Sequence, residues 1–329
     1  MRRLNLLPAV LLLFFLLDPH PAGADEPRSV YGASPPSTFM LYALDPDLIG
    51  GWNTPLRDYE KSFIPEKYWE LPILGGWYGQ GFIPDRETLL ASGLKKAFIL
   101  SSTFHDAGKI TQTLESLGMR VVVVPGMRMD SLAECFRILG REFGRPERGE
   151  ELARYTEETL GKVRAALADL PAAQRPRVYF AQEEDGLGTA CKGSERSEVL
   201  EAAGAENVHA CLKGTNESLP RISFEQLMAY DPDVILIYSP DLAAAVSTDA
   251  KWSRLRAVRE GRAYLVPRGP FSWLDRPAGY MRVIGVQWLA NLLHPDRLPL
   301  DPPAETKLFL KLFFHIDATD AQVEALLHP

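Results

Sequence analysis

Two stretches 138 residues apart align without a gap, Glu87-Thr-Leu-Leu-Ala-Ser-Gly-Leu-Lys-Lys-Ala-Phe-Ile-Leu and Glu225-Gln-Leu-Met-Ala-Tyr-Asp-Pro-Asp-Val-Ile-Leu-Ile-Tyr. Each opens with a glutamate, continues with a short helical turn of apolar residues and alanine, and runs into a buried-strand pattern. The duplication predicts two similar α/β lobes. Such a chain has a natural ligand site in the cleft between them.

The first residues read Met-Arg-Arg, then an apolar run from Leu4 to Leu17, then Pro21-Ala22-Gly23-Ala24. A basic start, an apolar segment shorter than the ~20 residues of a membrane-spanning helix, and small residues before a cleavage point predict a secretory signal peptide over 1–24. No cysteine follows the run, so lipoprotein attachment is not expected. Cleavage after Ala24 removes two arginines and one aspartate and moves the net charge from −7 to −8. A chain this acidic is a poor nucleic-acid binder, although a few arginines in a cleft can still dominate the local field there.

The chain has three cysteines. Cys135 lies in an amphipathic helical pattern and reads as a small buried apolar residue. An oxidising compartment permits a disulfide between Cys191 and Cys211, a pairing that spacing alone leaves open. A zinc site is disfavoured, because there is no CxxC or HxxxH pair.

Short β-rich runs alternate with helical patterns at Ser29–Tyr31, Ala97–Leu100, Val121–Val124, Arg177–Phe180, Val234–Tyr238 and Ala263–Val266. This alternation predicts parallel sheets. After the first run, Ser37 is the expected N-cap of a helix whose N-terminus faces the ligand edge. Between the lobes, apolar residues at 152, 155, 160, 163, 167 and 170 predict one long helix from Arg148 to Leu170, a stiff connector that restricts opening. The predicted organisation is a first lobe over 25–146, the linker helix over 147–172 and a second lobe over 173–329. Pro299–Pro303 is expected to be loose, and Lys307–Phe314 to form a C-terminal helix with its aromatics inward.

Candidate ligand contacts come from aromatic residues in glycine-rich loops and from arginines at strand ends. Trp52 and Trp77 both follow a Gly-Gly pair, and Tyr78 follows Trp77. Their flat faces and polar edges suit an aromatic or macrocyclic ligand, while Trp52 is equally suited to plug the base of its lobe. Arg128 follows the run ending at Val124, and Arg268, Trp273 and Arg276 follow the run ending at Val266. In open α/β sheets these carboxyl ends face the crevice, where a guanidinium fork suits carboxylate, phosphate or catecholate oxygens. Tyr280 is a further candidate at the start of a helix. His105 reads as a turn residue. No GxSxG, HExxH, P-loop or GxGxxG pattern occurs, which weighs against an enzyme. Glu87 and Glu225 each complement a helix dipole and also form a matched pair of acidic points for a two-fold partner.

In order and spacing, several segments resemble the periplasmic binding proteins of bacterial ABC importers for iron–siderophore complexes, haem and cobalamin, whose lobes are joined by one long helix. They are Ser29-Val-Tyr-Gly-Ala-Ser-Pro-Pro-Ser, the Leu74-Gly-Gly loop, Phe224-Glu-Gln-Leu-Met-Ala-Tyr-Asp-Pro-Asp-Val-Ile, Trp252-Ser-Arg-Leu-Arg-Ala-Val-Arg-Glu-Gly-Arg-Ala-Tyr and Gln287-Trp-Leu-Ala-Asn-Leu-Leu-His-Pro-Asp. The resemblance implies two Rossmann-like lobes bridged by a single helix, a monomer in the periplasm, and no catalytic residues or resident cofactor. It also implies delivery of ligand to a transmembrane permease dimer driven by a cytoplasmic ATPase, with Glu87 and Glu225 meeting arginines of the permease. One departure is Ser92-Gly-Leu-Lys-Lys, where the family usually has a Pro-Asp pair, as at Pro232-Asp233. The leading ligand expectation is a ferric siderophore or similar metal chelate. Cobalamin, haem or an oxyanion such as molybdate is the alternative; a secreted metalloenzyme or a receptor-coupled sensor is less well supported.

Overall fold

The computed structural model describes residues 28–77, 84–101, 107–126, 128–211, 219–276 and 279–328. The expected signal peptide, Tyr78 and His105 lie outside them. Strand β1 (Val30–Gly32) leads to helix α1 (Pro35–Leu44); α2 (Asp58–Lys61) and α3 (Arg86–Ala91) precede β2 (Lys96–Ser101). Helix α4 (Ala107–Ser116), β3 (Arg120–Pro125), α5 (Leu132–Glu142) and the long α6 (Pro146–Ala166) follow. The second half contains β4 (Arg177–Ala181), α7 (Glu198–Ala202), β5 (Glu206–Asn207), α8 (Phe224–Tyr230), β6 (Val234–Ile237), α9 (Pro240–Ala245), α10 (Arg256–Arg259) and β7 (Ala263–Leu265). Helices α11 (Met281–Leu293), α12 (Pro302–Phe314) and α13 (Asp320–Leu327) close the chain.

The strands form two sheets, ordered β1-β2-β3 and β5-β4-β6-β7, with every pair parallel. Ala97–Leu100 and Val234–Ile237 are buried along their whole length, as expected for parallel strands covered on both faces. The repeated segments become α3–β2 and α8–β6. At their junctions the aligned residues Gly93 and Asp231 both take the left-handed conformation, with φ of 69° and 41°. Glycine does this without steric cost. Asp231 does it beside Arg256, whose guanidinium pairs with both Asp231 and Asp233.

Three local expectations change. Ser34, not Ser37, caps α1, because Pro35 and Pro36 fill the first helical positions and lack N–H groups; the Ser34 hydroxyl accepts from the Ser37 N–H at 3.4 Å. Ser37 instead accepts from the Leu100 amide at 3.0 Å, tying α1 to β2. The connector α6 starts at Pro146 and leaves helical geometry at Leu167, giving a rod of about 31 Å. Pro302 and Pro303, expected in a loose stretch, form the first turn of α12, where Asp301 accepts from the Ala304 amide.

The two sheets share one core. Phe98 from the first, Phe180 and Leu236 from the second, and buried residues of α1, α5, α6, α11 and α12 belong to a continuous apolar cluster. Helix α12, counted with the second lobe in the sequence reading, crosses back to α1: the Tyr42 hydroxyl donates to the Phe314 carbonyl at 3.2 Å, and Arg148 on α6 donates to the Leu312 carbonyl. Cys191 and Cys211 form a disulfide, and Cys135 is buried outside it, its thiol 3.8 Å from the Gly126 carbonyl. Among the described residues no helix is long and apolar enough to cross a membrane.

Candidate functional site

A cleft of about 540 Å³ opens where the first segments of the chain meet the carboxyl ends of the second sheet. Its first wall carries Pro35, Phe39, Trp52, Arg57 and Tyr59; its second carries Arg196, Tyr238, Arg268, Phe271 and Arg276. Residues just beyond β1, β6 and β7 thus converge, the position at which open α/β sheets bind ligands.

Asn53 sets the floor on the first side. Its amide oxygen accepts from the Thr38 hydroxyl at 2.7 Å, and its amide nitrogen donates to the carbonyls of Gly32 and Gly75 at 2.8 and 2.7 Å. One buried side chain therefore holds the end of β1, the first turn of α1 and the Gly75 loop together. Beside it, Trp52 is 2% exposed, donates its indole N–H to the Tyr68 carbonyl at 2.7 Å, and packs on Phe39 and Tyr42. Trp52 is thus mainly a plug, although it also belongs to the cleft lining.

Four arginines line the cleft against two carboxylates, Glu60 and Asp275. Burial pushes the Glu60 carboxyl above its usual range, against the opposing hydrogen bond from the Arg57 amide and the charges of Arg57 and Arg268. Arg196 donates to the fully buried Asp275 at 2.9 Å. Arg276 donates to the Gln182 side-chain oxygen at 2.6 Å and lies 3.4 Å from Glu183. Among the described residues Arg57 and Arg268 have no carboxylate within ion-pair distance. Arg57 donates to the Tyr59 hydroxyl at 2.7 Å, and Arg268 reaches only the Tyr238 carbonyl at 3.4 Å.

Aromatic faces organise these cations. The guanidinium carbons of Arg276 and Arg268 lie 4.4 and 4.7 Å from the centre of the Tyr238 ring, and Arg268 also lies 5.9 Å from that of Tyr59. Cation–π attraction offsets part of the repulsion between neighbouring guanidinium groups; an anion between them would offset the rest. The Oδ1 atom of Asp275 and the Nε2 atom of Gln182 are buried at this site without hydrogen-bond partners among the described residues. Such groups are costly unless something meets them.

The sequence candidates divide. Arg268, Arg276 and Trp52 come together in the cleft. Trp77 is half-buried and packs edge-on against Tyr31, away from the cleft lining. Arg128 also lies outside: it pairs with Glu198 at 3.0 Å, and Glu198 in turn pairs with Arg282 and accepts from the Met129 amide. Trp273 is a correction, because it is 1% exposed, donates to the Gly269 carbonyl and meets Trp288 edge-on. Tyr280 is another, since it stacks on Phe313 at 4.9 Å within the shared core. Sequence reasoning passed over Arg57, Tyr59, Arg196 and Tyr238. Of these only Tyr238, directly beyond β6, carried the strand-end signal.

Glu87 and Glu225 are both exposed in the first turns of α3 and α8, each behind a capped N-terminus. The one described His/Cys/Asp/Glu group close enough to hold a metal is Cys191, His209 and Cys211, and both of its cysteines are engaged in the disulfide.

A family model described as periplasmic binding protein matches residues 97–269, just over half of the chain. An ABC transporter solute binding protein from Sulfurospirillum deleyianum is 33% identical, with a TM-score of 0.85 over 92% of this chain and 94% of that one. The molybdate-binding protein MolA of Haemophilus influenzae is 28% identical over 170 residues, 51% of this chain and 47% of that protein. A vitamin B12-binding protein of Salmonella typhi is 26% identical over 205 residues, 62% and 70% of the respective chains. The match thus spans about half the length of the molybdate-binding relative. With its parallel sheets, long connecting helix and cleft at the strand ends, the chain belongs to the periplasmic binding protein family, as a solute-binding protein of the ABC-transporter type.

Proposed function

We propose that this protein captures an anionic metal chelate of the ferric-siderophore class in the periplasm and delivers it to a membrane permease dimer powered by a cytoplasmic ATPase. The observation that carries the reading is the pair Arg57 and Arg268, cations at a cleft without carboxylate partners among the described residues, beside Arg276 on the Tyr238 ring. Guanidinium forks suit the oxygen-rich surface of such a chelate, and Tyr59, Tyr238 and Phe39 suit its organic shell. A cleft of about 540 Å³ lies within the ~300–1,000 Å³ usual for ligands of drug size, and a bare oxyanion would leave most of it unfilled. Glu87 and Glu225 are the proposed contacts with the permease. The protein itself has no catalytic step in this reading.

A second reading keeps the transport role and changes the cargo to an oxyanion or a corrinoid; the similarity to proteins named for molybdate and vitamin B12 supports it. Native mass spectrometry of the protein taken from its own periplasm, with metal analysis of the same sample, separates the two. An iron-bearing organic adduct is the expected result. Molybdenum or cobalt would replace the cargo. An empty protein that no siderophore, corrinoid, haem or oxyanion stabilises against heat would remove the binding role.

A further inference from the structure

The cleft wall at Arg268 has another cavity against it. A groove of about 460 Å³ shares Tyr59 and Arg268 with the cleft, and its remaining lining is Pro240, Leu265, Val266, Ala325 and Leu326. Those five side chains are all hydrocarbon. They come from the start of α9, the end of β7 and the last helix α13, three elements brought together by a tight contact. A Cβ on Gly269 would lie 2.0 Å from Leu326 Cδ2, so the turn that carries Arg268 admits α13 directly against its backbone. Strand β7 is the outer strand of its sheet, which leaves Leu265 half-exposed at the groove.

We infer that this groove is a second subsite, taking an alkyl or aryl arm of the same ligand whose anionic head lies among Arg57, Arg268 and Arg276. The inference rests on the anionic-ligand reading and narrows it to amphiphilic chelates. Its warrant is continuity: two side chains alone belong to both cavities. Tyr59 is 38% exposed, and Arg268 is held by ring contacts and one long hydrogen bond, so the partition is a side chain thick. An arm passing Tyr59 exchanges water for hydrocarbon without losing contact with the protein.

The test uses the full mature chain and ferric complexes of catechol, 4-propylcatechol and 4-hexylcatechol, titrated by calorimetry at one pH and salt concentration. The dissociation constant should fall about fourfold per methylene buried, so that the hexyl complex binds at least ~30-fold tighter than the unsubstituted one. Ala325→Glu, an exposed helical substitution that puts a carboxylate in the groove, should reduce that gain to under about threefold, and Ala325→Leu, which keeps the groove apolar, should retain it. If the catechol complex binds but chain length has no effect, the subsite is overturned while the anionic-ligand reading stands. A gain that survives Ala325→Glu places the arm elsewhere and also overturns it. If no complex binds, the chelate reading fails and the subsite fails with it.

Discussion

Gly140 on α5 and Gly149 on α6 meet so closely that a Cβ on Gly140 would sit 3.0 Å from the Gly149 Cα, and one on Gly149 would sit 2.9 Å from the Gly140 Cα and 2.5 Å from the Phe136 carbonyl oxygen. The obstructing atoms are backbone and cannot rotate away. Gly149→Ala should therefore lower stability by about 1–3 kcal/mol through overpacking, although alanine favours a helix by up to ~1 kcal/mol over glycine. Urea unfolding measures it. A stabilised variant would show that the helices separate at little cost.

Arg268→Gln keeps a polar side chain of similar reach and removes the charge. Loss of a charge-assisted contact of about 1.5–3 kcal/mol should weaken binding of the native ligand roughly 10- to 150-fold, and Arg57→Gln should act similarly. Titration with ligand recovered from the periplasm reads the effect. Affinity unchanged in both variants would mean that Arg57 and Arg268 do not face the ligand.

Glu87→Ala and Glu225→Ala test delivery apart from capture. Both glutamates are exposed and outside the cleft, so ligand affinity should stay within about twofold while ligand-stimulated ATPase activity of the reconstituted importer falls by at least about tenfold in the double variant. Full stimulation by the double variant would dismiss these residues as docking points.

His209 and His294 are buried, the first against the Tyr230 hydroxyl and the second against the Gly204 carbonyl. Burial lowers both pKa values below the usual imidazole value. The unfolded chain then binds protons that the native state refuses. The contribution of these residues to stability is present above the unfolded pKa of about 6.5 and is lost as the pH falls through that value toward the folded ones. Unfolding free energy should decline from pH 7.5 to 5.5, and less so in His294→Gln. A flat profile across that window would contradict the burial argument.

The strands were legible because their apolar runs are short and uninterrupted, and the connector because its apolar residues recur at helical spacing. What escaped was decided by distant partners. Trp273 follows a strand end just as Arg268 does, yet Gly285 lets α11 approach the Trp273 carbonyl, where a Cβ would sit 1.9 Å away, and Trp273 turns into the core. Tyr280 is buried by Phe309 and Phe313, some thirty residues later in the chain. Arg57 lies in a loop with no periodicity, and its importance comes only from facing Tyr238 and Arg268 across the cleft. Two-residue β5 offers no pattern to read.

The return of α12 and α13 has a mechanical consequence. The chain crosses between the sheets in α6 and is fastened a second time where Gln322 donates to the Ser62 carbonyl at 3.3 Å and Leu326 rests on Gly269. Both places oppose sliding and wide parting of the sheets, so the cleft should change width by little and a ligand should be admitted by its fit to walls already near their final positions.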